Sequence, residues 1–275
     1  MPELPEVQTI VTTLAPRVSG RRIGRVAHVR PDMVTPADFD FTAAVTGRAI
    51  ERVARRGKRI VFYLDDANRF FIHLGMTGRL TVEPADEPVQ PHTHLIVDLN
   101  DASGRAVGRR DQLRFRDPRR FGEIRWLGCE DCDERMGPEP LVMRTSQLAR
   151  KLARTTRAIK NALMDQNVVA GLGNIYVDES LYDAGIHPLA PANALGDEQV
   201  ARLSKSIKKI LRRAIRHRGS TLRDYVDADG TSGGFQRLHR VYDRAGDPCR
   251  NCGTAIERIV LGGRSTHFCA KCQTV

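Results

Sequence analysis

The chain opens with residues whose types could form a covalent catalyst. Once Met1 is removed, as is usual before a small residue, the first residue is Pro2. A chain α-amine has a pKa of about 8, so part of it is neutral and nucleophilic at pH 7. Glu3 follows directly and Glu6 lies one helical turn further on, which places possible proton carriers beside a nucleophile. The alternative is that proline and glutamate simply open a helix, where both are favoured.

The end of the chain carries the strongest single motif. Cys249 and Cys252 form one CxxC pair, and Cys269 and Cys272 form a second pair after sixteen intervening residues. This is the ligand spacing of a tetrahedral zinc site, and four thiolates leave no open position for catalysis. Two strands joined at Gly262 are expected to separate the pairs. We therefore predict one structural Zn2+ per chain.

The charge of the chain indicates a polyanionic partner. Lys and Arg number 44 against 33 Asp and Glu, for a net charge of +11 and an isoelectric point near 9.8. Nucleic acid is the default partner, since basic side chains release counterions condensed on phosphates; the alternative is a merely basic surface. No apolar run is long enough to span a membrane and no signal peptide is visible, so we expect the cytoplasm. In that reducing compartment a third CxxC pair, Cys129 and Cys132, is expected to remain as free thiols.

The apolar pattern predicts a helix followed by an all-β region. Residues 6–15 have the spacing of a half-buried helix, ended by Pro16 and Gly20. Alternation of apolar and polar residues then predicts strands, and we expect a two-sheet sandwich with the helix packed against it. The predicted strands are 22–30, 49–65, 69–82, 94–99 and 112–127.

The second half of the chain is predicted to be helical. Gly137 to Pro140 indicate a linker, and helices are expected at 146–166, 176–184 and 198–218, the last capped by Gly219. A glycine turn at Gly171 and Gly173 could present backbone amides to a phosphate or could be a plain turn between helices. The polar, glycine-rich stretch 224–240 is typical of a long functional loop.

Two loops of the β region are expected to present cations. Residues 55–59 (RRGKR) indicate a tight turn with its side chains in solvent. A second loop crowds several cations beside an aromatic residue, which is the combination that a nucleic-acid groove needs. Taken alone, that aromatic residue is better explained as part of the core. The residues of the second loop are Arg114, Arg116, Arg119, Arg120 and Phe121.

Ordered motifs cover nearly the whole chain. They are PELPEV at 2–7, GK at 57–58, HLGMTG at 73–78, DPRRFG at 117–122, GPEPL at 137–141, IK at 159–160, LMDQ at 163–166, GLGNIY at 171–176, GSTLRD at 219–224, and the cysteine finger with GRST at 263–266. With these motifs the chain resembles the bacterial formamidopyrimidine-DNA glycosylases, a family related to endonuclease VIII.

The resemblance implies an α+β, multidomain fold. An N-terminal helix and β-sandwich domain is expected at 1–133, a helix–two-turn–helix domain at 134–224, a lesion-recognition loop and linker at 225–240, and the zinc-finger hairpin at 241–275. The implied partner is double-stranded DNA that contains oxidised bases or abasic sites, bound by a monomer.

The resemblance also implies base-excision DNA repair: removal of 8-oxoguanine and formamidopyrimidines, then strand cleavage by β- and δ-elimination. Pro2 would be the nucleophile and Glu3 the proton shuttle, with Lys58 and Arg264 serving the two eliminations. Support would come from Glu6 and Glu179. The implied DNA-binding residues are His73, Met76, His92, Arg119, Phe121, Lys160 and Asn174. Among these, Met76, Arg119 and Phe121 would fill the gap left by a flipped base.

Two alternatives remain at this stage. The first is the related activity of endonuclease VIII on oxidised pyrimidines. The opening PELPE and the complete set of Met76, Arg119 and Phe121 favour the oxidised-purine activity instead. The second is a non-catalytic zinc-finger DNA-binding protein, which does not explain Pro2 and Glu3. The chain departs from the family pattern at Thr155 and Thr156, at residues 100–111, at the extra CxxC pair and in the lesion loop, which has the sequence TSGGF at 231–235.

Overall fold

The computed structural model describes residues 2–105, 111–129, 136–222 and 225–274. The chain divides into two compact units: residues 1–134 with 218–233, and residues 135–217 with 234–275. The segment 218–233, which spans the end of the predicted helical domain and the start of the predicted lesion loop, therefore groups with the first unit. Within the described ranges, no helix is both long and apolar enough to cross a membrane.

The first unit is a helix packed with a β-sandwich, as predicted. The elements are α1 Leu4–Val18, β1 Arg22–Val29, β2 Val34–Thr35, α2 Phe41–Val45, β3 Ile50–Arg56, β4 Arg59–Leu64, β5 Arg69–His73, β6 Arg79–Pro84, β7 Thr93–Asn100, β8 Asp111–Arg116 and β9 Glu123–Gly128, with a 3-10 turn at Pro31–Met33. One sheet has four strands in the order β1-β7-β8-β6, and the other has five in the order β2-β9-β5-β4-β3. All pairings of these strands are antiparallel except that of β2 with β9.

Helix α1 belongs to the core of this unit. Ile10 and Leu14 on its apolar face lie in one buried cluster with Phe62 of the five-stranded sheet and with Leu80 and Leu95 of the four-stranded sheet. Removal of this apolar surface from water is the main stabilising contribution, and it fixes the helix relative to both sheets. The residues at the start of α1 are thereby held at a defined place in the unit.

Three predicted strands are each two strands. The break at Gly57 is the predicted tight turn and the break at 117–122 lies in the predicted second loop, whereas the break at 74–78 was not predicted. Each break carries candidate site residues. The prediction that Pro16 ends α1 is wrong, since the helix continues to Val18. Pro16 lies in the last turn, where a missing N–H removes a single bond and the N–H of Ser19 still reaches the carbonyl of Ala15 at 2.9 Å.

The second unit contains four helices and a hairpin among its described residues. The elements are α3 Thr145–Leu152, α4 Ile159–Met164, α5 Asn174–Ala184, α6 Asp197–Arg216, β10 Glu257–Leu261 and β11 Arg264–Phe268, with 3-10 turns at Ala192–Ala194 and Phe235–Leu238. The predicted finger hairpin is confirmed, and its turn residues Gly262 and Gly263 both have positive φ.

Two helix predictions in this unit need correction. The span 146–166 is two helices, because Thr155 interrupts it: its hydroxyl accepts the N–H of Arg157 at 3.3 Å and competes with the helical bonds. Helix α6 is capped by His217 and not by Gly219, since the N–H of His217 already reaches the carbonyls of Arg213 and Ala214.

Candidate active site and metal centre

The start of the chain is buried and held by one carboxylate. Pro2 is buried, and Glu3 and Glu6 are only 3% and 1% exposed. Glu6 Oε2 accepts the backbone N–H of Glu3 at 2.8 Å, and Glu6 Oε1 accepts the backbone N–H of Ser220 at 2.7 Å. Both carboxylate oxygens are therefore used to hold backbone, one of them at the residue next to Pro2.

The segment 218–233 closes over Glu6 within the same unit. Gly219 has a φ of +76°, and a Cβ there would lie 2.5 Å from Glu6 Oε1, so only glycine fits. The hydroxyl of Tyr225 donates to the carbonyl of Glu6 at 3.3 Å. Burial, followed by the charge of Glu6, raises the pKa of the Tyr225 hydroxyl, which keeps it protonated as a donor.

Replacing Glu6 by Gln tests this arrangement. The amide nitrogen would face one of the two backbone donors, and a buried donor without an acceptor costs about 2 kcal/mol. We expect the free energy of unfolding, measured by urea denaturation, to fall by about that amount. The matched control is Glu51→Gln at an exposed position of the same unit, which should change stability by less than about 0.5 kcal/mol. An equal, small effect of both substitutions would contradict a holding role for Glu6.

Lys58 lies on the β3–β4 turn, and this turn differs from the prediction. We expected residues 55–59 to project cations into solvent, yet Lys58 is 8% exposed and Arg55 and Arg59 are half-buried. Arg55 Nε donates to Gln8 Oε1 of α1 at 3.0 Å, and the Arg59 guanidinium stacks on the Phe71 ring. Arg55 thus ties the turn to α1, within the unit that also contains Pro2 and Glu3.

His73 lies at the end of β5. Desolvation lowers the pKa of this imidazole, and the Lys58 ammonium lowers it further, so His73 is neutral at pH 7. Its Nδ1 accepts the N–H of Gly75 at 3.3 Å, which requires the tautomer with a proton on the other nitrogen. His73 thereby orders the start of the loop that carries Met76.

Asp117 joins the two loops that carry the predicted gap-filling residues. It is fully buried; Oδ1 accepts the Thr77 hydroxyl at 2.5 Å, and Oδ2 accepts the N–H of Gly122 at 2.8 Å. Beside these contacts, Met76 is 37% and Phe121 55% exposed. Large apolar side chains in solvent at the ends of two tied loops suit insertion into a base stack.

Two of the cations that were predicted to lie beside Phe121 differ in exposure. Arg119 is exposed and its guanidinium lies 4.7 Å from the centre of the Phe121 ring. Phe121 is not a core residue, so the alternative that was favoured for this residue taken alone is wrong. The prediction that Arg114 is an exposed cation is wrong, because this residue is only 2% exposed.

Arg114 instead holds the loop before β7. Its guanidinium donates to Glu83 Oε2 and to the carbonyl of Glu87, both at 2.9 Å. This loop ends at His92, an exposed residue with a φ of +68° whose carbonyl accepts the N–H of Asp117 at 3.0 Å. The structure therefore places His92 next to the Asp117 loop.

In the second unit, Lys160 and Asn174 converge on the finger hairpin. Lys160 Nζ donates to the carbonyl of Ser265 at 2.7 Å, and Asn174 Nδ2 donates to the same oxygen at 2.9 Å. Their shared acceptor is adjacent to Arg264, which is exposed at the hairpin tip. The two side chains hold the residue that presents Arg264.

Lys160, the expected phosphate ligand, is buried in this structure. Its side chain is 0% exposed and forms an ion pair of 2.7 Å with Asp178, which is equally buried. A buried ammonium needs such a partner, since desolvation of an unpaired charge is costly. Asp178 also accepts the backbone N–H of His267 at 2.9 Å, so the pair connects α4 and α5 to β11.

Glu179 anchors the chain that leads into the finger. Its carboxylate, 0% exposed, accepts the backbone N–H groups of Arg240, Val241 and Tyr242, each at 2.9 Å. Burial raises the pKa of Glu179, while these three donors oppose the shift. Glu179, predicted as a supporting residue, therefore anchors the backbone of residues 240–242 within the second unit.

The four predicted zinc ligands form one cluster. The sulfur atoms of Cys249, Cys252, Cys269 and Cys272 all lie within 4.8 Å of one another, with two of the separations at 3.5 and 3.9 Å. Four zinc–sulfur bonds of about 2.3 Å place sulfur atoms about 3.8 Å apart, so the geometry fits zinc. The structural zinc prediction is confirmed.

Cys129 of the extra cysteine pair is not part of this cluster. Cys129 is a free, exposed thiol, and Cys132 lies outside the described residues. Among the described residues the finger is the only group of metal-ligating side chains. Residues 106–110 of the expected insertion and residues 223–224 also lie outside the described ranges.

Sequence reasoning missed two buried aspartates, one in each unit, that hold candidate site residues. In the sequence Asp117 indicates only a turn, although an Asp before proline often hydrogen-bonds the backbone ahead of it, and this signal could have found it. No sequence pattern indicates the role of Asp178, because one acidic residue in a helix does not show that a lysine eighteen positions earlier needs a partner.

Comparison with known proteins agrees with this architecture. Residues 1–124 match the model of the formamidopyrimidine-DNA glycosylase N-terminal domain, residues 136–226 that of the H2TH domain, and residues 246–275 that of the zinc finger found in FPG and IleRS. The formamidopyrimidine-DNA glycosylase of Bacillus subtilis is 43% identical, over 100% of this chain and 99% of its own length. That of Herpetosiphon aurantiacus is 44% identical, over 99% and 100%.

Solved structures give the same result. The MutM (Fpg) protein of Thermus thermophilus superposes with a TM-score of 0.86 at 40% identity, covering 99% of this chain and 98% of that one. A Lactococcus lactis FPG variant in complex with Fapy-dG containing DNA superposes with a TM-score of 0.89 at 35% identity, covering both chains completely. The chain therefore belongs to the formamidopyrimidine-DNA glycosylase family.

Proposed function

We propose that this chain is a base-excision DNA glycosylase and AP lyase for oxidised purines, with the Pro2 amine as its nucleophile. The observation that carries the proposal is the buried chain start: Glu6 bonds the backbone of Glu3 and of Ser220, and Glu3 itself is 3% exposed. A helix that merely opens at a protein surface needs no such enclosure of its first residues.

The proposed reaction begins at the sugar of the damaged nucleotide. The Pro2 nitrogen attacks C1′ and the glycosidic bond breaks, so that the base leaves with the bonding electrons and takes up a proton. Opening of the sugar ring gives a cationic iminium, which cannot be neutralised by loss of a proton from nitrogen, because the proline amine is secondary. Glu3 is the proton carrier for the departing base and the ring oxygen.

The iminium then drives strand cleavage. It acidifies the hydrogen on C2′, whose removal breaks the bond from C3′ to its phosphate oxygen, and a second elimination breaks the bond at C5′. We assign Lys58 to the first elimination, as a phosphate contact and proton donor. Arg264 belongs to the second as a phosphate clamp, since a guanidinium with a pKa above about 12 is a poor acid. Zinc supplies no step and keeps the hairpin of Arg264 folded.

Recognition requires that the damaged base leave the stack. Unstacking costs a few kcal/mol, and side chains that occupy the gap offset this cost. Exposed Met76 and Phe121, with Arg119 beside the Phe121 ring, are the proposed gap-filling residues. His73 and His92 are also proposed as DNA-binding residues, His92 through a phosphate. Asn174 is the proposed phosphate contact of the second unit.

Because the substrate is chromosomal DNA and the relatives are bacterial, we also propose the bacterial cytoplasm as the compartment of the protein.

A trapping experiment on two substrates tests the proposal. Borohydride reduces an iminium to a stable amine, so a duplex with 8-oxoguanine opposite cytosine should become covalently attached to the protein. A duplex with thymine glycol should be attached at least about tenfold more slowly, since each discriminating contact changes a rate by about that factor. Undamaged duplex is the control for background. Faster attachment to thymine glycol would favour the oxidised-pyrimidine activity, and no attachment to any duplex would favour a non-catalytic DNA-binding protein.

A further inference from the structure

Helix α6 carries a one-sided row of cations that the proposed reaction does not use. Between Val200 and Arg216 the sequence contains seven Lys and Arg residues and no acidic residue. The exposed positions of this stretch are one alanine, Ala201, and five cations. These five, which we call the α6 basic row, are Arg202, Lys205, Lys209, Arg212 and Arg216.

The spacing places the row along a single face. Its members follow one another at intervals of three and four residues, which are neighbouring positions on a helix surface. From Arg202 to Arg216 the row extends over about 21 Å, at about 1.5 Å per residue. Neighbours of like charge repel each other at this spacing, which weakens the helix. The helix dipole favours cations only in the last turn, where Arg216 lies, so helix stability does not explain Arg202, Lys205 and Lys209.

Most of the row has no anion to neutralise it. Lys209 pairs with Asp183 at 2.6 Å, and Arg212 donates to the carbonyl of Leu141 at 3.4 Å. For Arg202, Lys205 and Arg216, no ion pair exists with any residue that the structure describes. The row thus presents a strip of positive charge to solvent.

The composition of the row identifies the kind of partner. A protein–protein interface is built on a core of apolar and aromatic side chains, and the exposed face of α6 offers only Ala201. A nucleic-acid backbone, in contrast, is bound by cations alone and carries one charge per about 1.7 Å of duplex axis. A straight row of evenly spaced cations is complementary to such a backbone.

The row is also separate from the proposed phosphate contacts of the second unit. Lys209 is tied to Asp183, near the C-terminal end of α5. Asn174 is the first residue of that helix, and nine residues separate the two positions, or about 13 Å. The two ends of α5 thus carry different contacts, Asn174 toward the finger hairpin and Asp183 toward the α6 basic row.

We propose that the α6 basic row binds the phosphates of a second segment of duplex DNA, without regard to sequence or damage. This goes beyond the proposed function, because none of its residues belongs to the reaction or to lesion recognition. Such a surface would hold the protein on undamaged DNA while the lesion site is free or already occupied.

The test measures a second binding event. The protein is first saturated with an unlabelled duplex that contains an abasic-site analogue, and a fluorescein-labelled undamaged duplex is then titrated in and followed by anisotropy. We expect the wild type to bind the second duplex. The triple variant Arg202→Gln, Lys205→Gln and Arg216→Gln should bind it at least about tenfold more weakly at about 0.1 M salt, with a salt slope reduced by about two to three.

A matched variant separates the row from net charge. Arg25→Gln, Arg48→Gln and Arg105→Gln remove the same charge from exposed positions of the first unit, and this variant should keep the second binding within about twofold of wild type. Glutamine preserves helix propensity, so the α6 variant should melt no lower than wild type. Single-turnover excision at saturating enzyme should also be unchanged, which distinguishes failure of this inference from failure of the proposed reaction.

Two outcomes would overturn the inference. The first is an equal salt slope in wild type and the α6 variant, which would show that the row contacts no phosphate and would leave an acidic protein surface as its partner. The second is an equal loss in both triple variants, which would show that only the net charge matters.

Discussion

A chain extended by two residues before Pro2 is expected to give no borohydride-trapped adduct with an 8-oxoguanine duplex. The extension converts the secondary amine of Pro2 into an amide, whose nitrogen lone pair is delocalised and no longer nucleophilic. Removal of an essential nucleophile usually lowers turnover by several orders of magnitude, so excision should slow by at least about a thousandfold in single-turnover assays.

The enclosure of the chain start makes a folding control necessary. Pro2 and Glu3 are buried beneath contacts of Glu6, so added residues could also disturb the helix opening. Binding of a duplex with an abasic-site analogue and the melting temperature report such a disturbance independently of chemistry. A matched variant is Pro2→Gly, which retains a free α-amine as a primary amine and should still be trapped, although more weakly.

An adduct of undiminished yield in the extended chain would place the nucleophile elsewhere. Lys58 is then the other amine of the first unit to examine, since it is 8% exposed and lies on a turn that is tied to α1 through Arg55 and Gln8. A double variant with the extension and Lys58→Met would decide between the two amines. Loss of the adduct only in that double variant would overturn the assignment of Pro2.

Features of this structure that depend on residues close together in the sequence are predicted well, and features that depend on distant residues are not. The cysteine finger, α1 and the sandwich follow from spacings within a few residues and are confirmed, although α1 ends later than predicted and three predicted strands are each divided. The strand break at 74–78 is hidden in the sequence because the apolar alternation continues across it, whereas the break at 117–122 is marked by Asp117 before a proline. The two turns are tied together by Asp117, which bonds Thr77 forty residues away, and no local pattern encodes that pair.

The environment of site residues is the least predictable part. The charges of Lys160 and Arg114 predict that solvent or phosphate surrounds both side chains. Both are buried instead, because Asp178 and Glu83 supply ion-pair partners from other parts of the chain. The reverse holds at Phe121, whose apolar side chain suggests the core and which is 55% exposed. Residue type gives the average environment, whereas the partner that tertiary folding brings decides the individual case.

Replacement of Cys269 by Ser is expected to release the zinc and abolish DNA binding. Cys269 is fully buried in the four-sulfur cluster, and a serine hydroxyl does not ionise at neutral pH to replace the thiolate. Zinc binding to such fingers contributes about 10 to 16 kcal/mol at pH 7. This is comparable to the whole stability of an ordinary domain, about 5 to 15 kcal/mol, so a finger without zinc should unfold.

The contacts of the hairpin indicate which functions are lost when the finger unfolds. The carbonyl of Ser265 loses its place beside Lys160 and Asn174, and Arg264 loses its position at the hairpin tip. We therefore expect zinc content by elemental analysis to fall from one ion per chain to near zero, and affinity for a duplex with an abasic-site analogue to fall by at least about a hundredfold, since several phosphate contacts are lost together. The first unit should remain folded, because its core cluster contains no residue of the hairpin.

Cys129→Ser is the matched control for this substitution. Cys129 is an exposed free thiol outside the cluster, so its replacement makes the same chemical change and should leave both zinc content and binding as in wild type. Intact DNA binding by Cys269→Ser after stoichiometric loss of zinc would contradict the structural role, since the Lys160 and Asn174 contacts would then suffice to hold Arg264. Zinc retained at one ion per chain would show that three thiolates and a water are enough, and that the closed four-thiolate site is not required.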